Sequence, residues 1–418
     1  KLLIYKFIIN VLEENLTEEF KVRVSNSLKS KILSFFENLL LKLISFLFQY
    51  ENSLQYLLSV TPPLKDKNDI FKKYLKFLYK QNNYERIILE GNKILESHLN
   101  DAVLLEWICK AYAELPESVL KTNSPDICPK RAYDQLLTII PDSYLGLFCK
   151  GLDELYHGDL IIANDELLNA TKIKQDSGMI WFYLCTCQIL LYHFENAEES
   201  ALKALKCFND NKKYKNMITD CEIKLLQSLC ELNEKEKWLE AEKLGMKLLE
   251  SNCDSLNVYQ SFAIALIKLE NYSKAEQYIN KIKSHKEIVE YLNILMLKQQ
   301  NKINDCKKRL EELNAKPHDN FIFWLELGKI YFSEKNEKLS LSCLLKAAKL
   351  NQWCYLNFLF LGHYYSSLLK DFEKARRCYQ KAFQLNSTNV EVCRCLSDIY
   401  RTLGKEVKKK KLLYFVKL

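Results

Sequence analysis

The residues best suited to chemistry in this chain are its 15 cysteines and 6 histidines. A metal centre built from cysteines commonly uses two thiolates spaced Cys-x-x-Cys, and that spacing occurs nowhere in the sequence. The closest pairs are Cys185 with Cys187 and Cys393 with Cys395. Residues two apart on a helix differ by about 200° of rotation, so such thiolates cannot easily face one ion. We therefore expect no metal site and reduced, mostly buried thiols, as in a protein of the cytoplasm or the nucleus.

The other candidates for catalysis are isolated from one another. The histidines are scattered along the chain, at His98, His157, His193, His285, His318 and His363. The adjacent carboxylates Glu198–Glu199 and Glu311–Glu312 are typical of solvated helix faces. The sequence contains no Gly-rich phosphate loop, no His-Glu-x-x-His motif and no Gly-x-Ser-x-Gly motif. It predicts a protein that is not an enzyme, with no catalytic residue, no cofactor and no small-molecule substrate.

Charge and hydropathy give little sign of a nucleic-acid or membrane site. The net charge is +8, and the only run of four cations is Lys408–Lys411, beside a looser cluster at 212–215. We interpret both as solvated helix ends or loops. The most apolar stretch, 32–48, contains Glu37 and Lys42, which favours a packed amphipathic helix over a membrane span. Because the first residue is Lys1, we expect an internal piece of a longer protein.

The elements that carry these residues must be helices, because turn-forming residues are scarce. Only 9 Gly and 7 Pro occur in 418 residues, too few for the many turns of sandwiches, propellers or Rossmann sheets. The chain is 48% hydrophobic, which excludes general disorder. What remains is a long, almost entirely helical chain.

A repeated helix pair organises the sequence. Each pair has one anchor residue, usually bulky, near the start of its first helix, and the anchors are Phe71, Leu105, Leu147, Trp181, Leu225, Tyr259, Glu290, Trp324, Phe358 and Cys393. Successive anchors lie 34, 42, 34, 44, 34, 31, 34, 34 and 35 residues apart. A period of 34 residues is that of the tetratricopeptide repeat. The predicted fold is all-α, a right-handed superhelical solenoid of these helix–turn–helix repeats.

Small residues recur at fixed distances from the anchors, where two helices must approach closely. Four residues after the anchor stand Cys109, Gly151, Cys185, Ala263, Gly328, Gly362 and Ser397. Sixteen residues after it stand Ala163, Ala197, Ala241, Ala275, Cys306 and Ser340, with Ala375 one residue later in its own unit. A third set, Ala170, Ala204, Ala347 and Ala382, closes the second helices.

The repeats predict one array rather than several domains. We expect a helical leader over residues 1–68, either a cap or degenerate repeats, followed by about ten repeats over 69–418. Two long spacings predict insertions near 116–130 and 207–216.

Function is then expected in the groove of the superhelix. Positions one, five and eight residues after the anchors give a largely apolar wall, and its predicted partner-binding residues are Phe148, Leu152, Leu155, Phe182, Ile189, Leu226, Ile264 and Ile267. Such a wall suits a helix or an extended peptide of a protein partner. The alternative is that another part of the same protein covers it. Only Lys72 with Lys76, and Lys329, begin to resemble the clamp that co-chaperone repeats use for a terminal carboxylate.

Residues 320–390 carry a family resemblance. The segments Leu361–Tyr365 and Ala375–Phe383, with Leu344–Ala348 in the preceding unit, resemble the large tetratricopeptide subunit of the superkiller (Ski) complex. The resemblance implies a non-catalytic cytoplasmic scaffold that joins a DExH RNA helicase and a WD-repeat propeller subunit. It also implies a link to the RNA exosome for 3′-to-5′ mRNA decay, with mRNA bound only indirectly. The resemblance implies a fragment of the family's N-terminal arm. Those contacts belong mostly to its C-terminal arm, so no binding residue is carried over.

Two alternatives remain open from the residues alone. The chain could serve as a scaffold in another assembly, such as a ubiquitin ligase or an acetyltransferase complex. It could also be the regulatory region of an enzyme whose catalytic domain lies outside this sequence.

Overall fold

The structure is a computed structural model that describes residues 75–76, 78–95, 101–122, 124–210, 217–316 and 318–404. Within these ranges the regular elements are helices, with no strand, so the predicted all-α fold is confirmed. The predicted leader 1–68, the anchor Phe71 with Lys72, the 212–215 cluster and the Lys408–Lys411 run lie outside the described residues. The chain divides into two compact units, Lys1–His157 and Gly158–Leu418.

The first unit has five helices in its described part. These are α1 (Tyr84–Leu95), α2 (Ala102–Ala113), the single turn α3 (Glu117–Leu120), α4 (Lys130–Ile139) and α5 (Tyr144–His157). Asp101 caps α2, because its carboxylate accepts hydrogen bonds from the backbone amides of Val103 and Leu104. Between α2 and α4, the residues 116–130 form α3 and a 3₁₀ turn at Pro125–Ile127.

The second unit continues with fourteen helices in its described residues. They are α6 (Leu160–Ile173), α7 (Gly178–Leu190), α8 (Phe194–Asp210), α9 (Met217–Glu231), α10 (Lys235–Glu250), α11 (Leu256–Lys268), α12 (Tyr272–Lys281), α13 (Lys286–Gln299), α14 (Ile303–Asn314), α15 (Phe321–Ser333), α16 (Glu337–Leu350), α17 (Tyr355–His363), α18 (Phe372–Leu385) and α19 (Val390–Thr402). The anchors from Trp181 to Cys393 fall in α7, α9, α11, α13, α15, α17 and α19. Each of these up to α17 is the first helix of a described pair, as the spacing predicts, and α19 is the last helix of the described residues.

The small residues predicted from the spacing are buried throughout. Every alanine of the second and third sets has no solvent exposure, and Cys306 and Ser340 in the same register are equally inaccessible. Large side chains of neighbouring pairs surround them. Leu325 of α15, Leu344 of α16 and Leu361 of α17 form one cluster, which therefore joins two successive pairs. The apolar interior runs along the stacked pairs.

Two glycines show how closely the helices approach. A Cβ placed on Gly328 would lie 2.9 Å from Cδ2 of Leu344, and the hydroxyl of Ser340 donates a 3.1 Å hydrogen bond to the Gly328 carbonyl. A Cβ on Gly362 would lie 2.4 Å from Cε1 of Tyr379. A Cβ at either position would require the facing side chain to move.

The extra residue of the Phe358 unit has a visible location. Helix α17 passes into a π-helical turn at Tyr364–Leu368, where the Leu369 amide bonds to the carbonyl of Tyr364 at 3.4 Å. A π turn absorbs one residue beyond the α-helical count. This explains why Ala375, rather than the residue before it, occupies the small position of α18.

We expect Gly362→Ala to destabilise the second unit. The ring of Tyr379 is held by hydrogen bonds between its hydroxyl and Nδ1 of His363, 3.0 Å apart, and between its hydroxyl and that of Ser366, 3.2 Å apart. Overpacking costs about 1–3 kcal/mol, against a helix-propensity gain of about 1 kcal/mol. Urea unfolding followed by circular dichroism should show a net loss of up to about 2 kcal/mol.

Gly146→Ala is the matched control. Its Cβ would lie 3.0 Å from Cδ2 of Leu137, a side chain that can move. The change in unfolding free energy should stay below about 1 kcal/mol. Equal effects of the two substitutions would contradict the close approach described for Gly362.

Candidate functional site

The second unit contains a cavity of about 370 Å³, built from successive first helices. It is lined by the end of α7, the turn that follows it, the start of α8, and the helices α9, α11, α13 and α15. The lining residues are Ile189, Leu190, Tyr192, Phe194, Gln227, Cys230, Glu231, Gln260, Ser261, Ile264, Glu287, Ile288, Tyr291, Asn320, Ile322 and Asn351.

Helical periodicity explains why these residues converge. Residues three or four apart share one helix face, and each of the central helices places such a set on the cavity. Gln227 and Glu231 do so on α9, Gln260 and Ile264 on α11. One face of each first helix thus lines the cavity while the opposite side packs on its partner helix.

A long-range contact fixes the turn after α7, whose Tyr192 lines the cavity. The turn after α7 places Nε2 of His193 2.7 Å from the carbonyl oxygen of Leu385. The neighbouring ring of Tyr192 meets the ring of Phe321 edge-on, with centroids 5.7 Å apart. Tyr192 holds a φ of 64°, a left-handed conformation that is costly for a bulky residue. The turns after α11 and α15 hold the same conformation at the matching residue, so it is a feature of the repeat's turn.

His193 is neutral in the folded protein. Burial lowers its pKa to about 4, and the hydrogen bond to Leu385 offsets this only in part. The ring nitrogen that faces the Leu385 carbonyl must donate, because a carbonyl oxygen can only accept.

The charged groups of the cavity wall are both acidic. Glu231 and Glu287 line it, and no Lys, Arg or His does so among the described lining residues. Burial raises the pKa of Glu231, although Lys268 and Lys298 act in the opposite direction.

The nearby lysines already have partners. Nζ of Lys298 lies 2.5 Å from the Glu326 carboxylate and Nζ of Lys329 lies 2.8 Å from it. Burial alone would raise the pKa of Glu326, but the two lysines lower it to about 2. Lys329 also sits 4.4 Å from the ring centroid of Phe360. Lys329 is therefore engaged within the chain, which argues against a clamp for a terminal carboxylate.

The structure divides the eight predicted groove residues into two groups. Ile189 and Ile264 line the cavity, together with Cys230 and Gln260 from the same predicted register. The other six are buried between helices, namely Phe148, Leu152, Leu155, Phe182, Leu226 and Ile267. The predicted register therefore locates mostly the packed face, and a partner-binding role for these six stays a prediction that their burial disfavours.

Several cavity residues carried no clear signal in the sequence. Gln227 and Glu231 lie two and six residues after their anchor, one turn apart, and a search for polar residues at that spacing could have found them. His193 gave no such signal, because 192 residues separate it from Leu385.

The remaining Cys, His, Asp and Glu side chains form no further candidate site in the described part of the chain. No group of three His, Cys, Asp or Glu side chains is placed to hold a metal ion there, and none of its helices is long and apolar enough to cross a bilayer. Burial raises the pKa of the Cys185 thiol to about 12 and that of Cys306 to about 11. Such thiols are small apolar side chains rather than nucleophiles.

The helix pairs, their spacing and a cavity formed by successive first helices define an all-α helical solenoid of the tetratricopeptide type. Residues 322–352 and 357–389 match the model of the tetratricopeptide repeat.

The chain is similar to Tetratricopeptide repeat protein 37 of Xenopus laevis, at 25% identity over 286 residues, covering 65% of this chain and 18% of that protein. It is similar to Superkiller complex protein 3 of Homo sapiens, at 23% identity over 264 residues, covering 59% and 16%. Against Superkiller complex protein 3 of Mus musculus the identity is 37% over 71 residues, covering 16% and 4%. The chain thus spans only a small part of the length of these relatives.

We expect the free energy of unfolding to decrease as the pH is lowered, and His193 to account for part of this decrease. Its pKa is about 4 when folded and 6.5 when unfolded, so the unfolded state binds the extra proton between these values. Stability from this group is therefore complete above pH 6.5 and is lost as the pH falls to about 4, by up to about 3 kcal/mol. Urea unfolding at pH 7 and pH 4.5 measures this loss.

His193→Gln is the matched variant, because its amide reaches the Leu385 carbonyl and does not titrate. The pKa values of His318 and His363 are also lowered by burial, so both proteins lose some stability in acid. The wild type should lose more. Equal losses would show that His193 is not buried as described.

Proposed function

We propose that this chain is part of a non-catalytic scaffold that binds other proteins in a superkiller-type complex. In this role it supports exosome-mediated 3′-to-5′ decay of mRNA in the cytoplasm. The observation that carries the proposal is the 37% identity over 71 residues to Superkiller complex protein 3. The tetratricopeptide match at residues 322–389 supports it, since it falls where the sequence resembles the superkiller subunit.

The state of the reactive side chains supports a non-catalytic role. His193 bonds to the Leu385 carbonyl, His318 to the side chain of Asn314 and His363 to the hydroxyl of Tyr379. These three histidines hold helices and turns together. The buried thiols, whose pKa values are raised, likewise serve as packed side chains.

The cavity supports protein binding as the mode of action. Its wall mixes isoleucines and aromatic rings with amides and carboxylates, as do surfaces that receive a peptide segment. The proposed partners are a DExH RNA helicase, a WD-repeat propeller subunit and an exosome-linking factor. Association with mRNA is indirect, and neither a membrane nor a small-molecule substrate takes part.

Purification of the tagged protein from its own cells tests membership of the complex. Mass spectrometry should recover a DExH helicase, a WD-repeat protein and exosome subunits. Recovery should persist after RNase treatment, because the scaffold holds them through protein contacts. A clean purification that lacks the helicase and the exosome would overturn the superkiller assignment.

Three lysine substitutions test whether partners use the cavity. Ile189→Lys places a cation on the cavity wall and should remove one co-purified partner while helicity remains. Phe182→Lys puts a charge into the core, where the ring is 4% exposed, and should unfold the unit. Leu202→Lys changes a side chain that is 50% exposed on α8 and should alter neither property.

The comparison of the Ile189→Lys and Leu202→Lys variants shows whether partners bind at the cavity. If both lysine variants keep every partner, the cavity is not the binding surface. Circular dichroism spectra of all three variants establish which of them remain folded.

A further inference from the structure

We infer that the cavity of the second unit binds an arginine side chain presented by a partner protein, with Glu231 as counter-ion and Gln227 as second acceptor. This inference rests on the proposed protein-binding function and names the chemistry that the cavity recognises. It does not depend on which complex the chain joins.

One residue of the cavity wall carries a buried hydrogen-bond acceptor that lacks a donor. Oε1 of Gln227 is buried and has no hydrogen-bond partner, although Gln227 lines the cavity. Glu231 lies one helical turn further along α9, on the same face, and also lines the cavity. A buried acceptor without a donor costs free energy, which a ligand carrying N–H groups would return.

The sign of the charge selects a cation. Glu231 and Glu287 are the charged side chains of the described lining, so the cavity is acidic. The two lysines nearest Glu231 are held elsewhere. Lys298 pairs with Glu326 at 2.5 Å, and Nζ of Lys268 lies 5.6 Å from the ring centroid of Trp238 and 3.5 Å from the Leu232 carbonyl oxygen.

The arrangement favours a guanidinium over an ammonium group. A planar guanidinium offers five N–H donors in a fixed fork, so it can bond to two acceptors at once, whereas lysine acts as a point charge. The rings of Tyr192 and Tyr291 line the same space and suit the flat face of the group. Ile189, Ile264 and Ile288 can contact its aliphatic stem.

The size and the sequence point to a partner rather than to this chain. A volume of about 370 Å³ accommodates one long side chain with its flanking backbone, near the lower end of ligand pockets at about 300–1,000 Å³. The C-terminal segment 405–418 contains lysines but no arginine. Outside the described residues this chain has one arginine, Arg23, and that residue can be tested directly.

A phage library of random dodecapeptides, selected on the full chain, tests the inference. We expect enrichment of peptides with one arginine beside apolar residues. Their dissociation constants, measured by fluorescence anisotropy, should rise at least about tenfold with Glu231→Gln. They should not change with Glu236→Gln, a matched change of an exposed glutamate on α10. Replacing the peptide arginine by lysine should also weaken binding.

Each contrary result overturns the inference. It fails if no peptide is enriched, if the enriched peptides lack arginine, if lysine binds equally well, or if Glu231→Gln binds as the wild type does. If peptides bind Arg23→Gln but not the wild type, the occupant is this chain's own arginine, and the assignment to a partner is wrong.

Two further measurements keep the test decisive. Glu231→Gln is isosteric, and its folding is checked by circular dichroism. If it does not fold, Gln227→Met removes the other acceptor and supplies the same comparison. If the tagged protein recovers its complex while the library yields no arginine peptide, the proposed function stands and only this inference falls.

Discussion

The close approach of paired helices at small side chains is the constraint on which the rest of the structure depends. Where Gly328 faces Leu344, and Gly362 faces Tyr379, a Cβ atom would force the facing side chain to move. The contact fixes the distance and the angle within a pair, and the stacking of pairs repeats that geometry. A modest error at one such position would be passed on to every later pair. The fully buried alanines of the second and third sets show the same requirement along the unit.

This repeated geometry brings distant parts of the second unit together. Small rotations from pair to pair accumulate until the turn after α7 meets the end of α18, where His193 bonds to Leu385. Polar groups that this geometry places in the interior need partners, because a buried polar group without one is costly. Glu326 has two lysines and keeps a pKa of about 2. Glu231 has none at hydrogen-bond distance among the described residues, and burial raises its pKa.

The sequence was a good guide to the fold because the helix pairs are defined by local spacing. The anchors, the small positions and the extra residue before Ala375 all follow from distances within about forty residues. The cavity was less predictable. The register that gives Ile189 and Ile264 also gives Phe182 and Leu226, because positions one, five and eight after an anchor share one face of the helix. That face contributes both to the cavity wall and to packing between helices. The contact between His193 and Leu385 depends on rotations summed over several pairs, which no local pattern encodes.

The acidic cavity couples binding to stability. A carboxyl group whose pKa is raised on folding stabilises the folded state fully below its unfolded pKa, and this advantage is lost as the pH rises through the folded pKa. Glu231 therefore lowers stability near neutral pH when the cavity holds no cation. A cation that pairs with the Glu231 carboxylate offsets the cost of burying its charge. A ligand that binds only the folded state stabilises that state further. The turn of α9 that carries Gln227 and Glu231 thus lowers the stability of the second unit when the cavity is empty, and a basic partner offsets that cost.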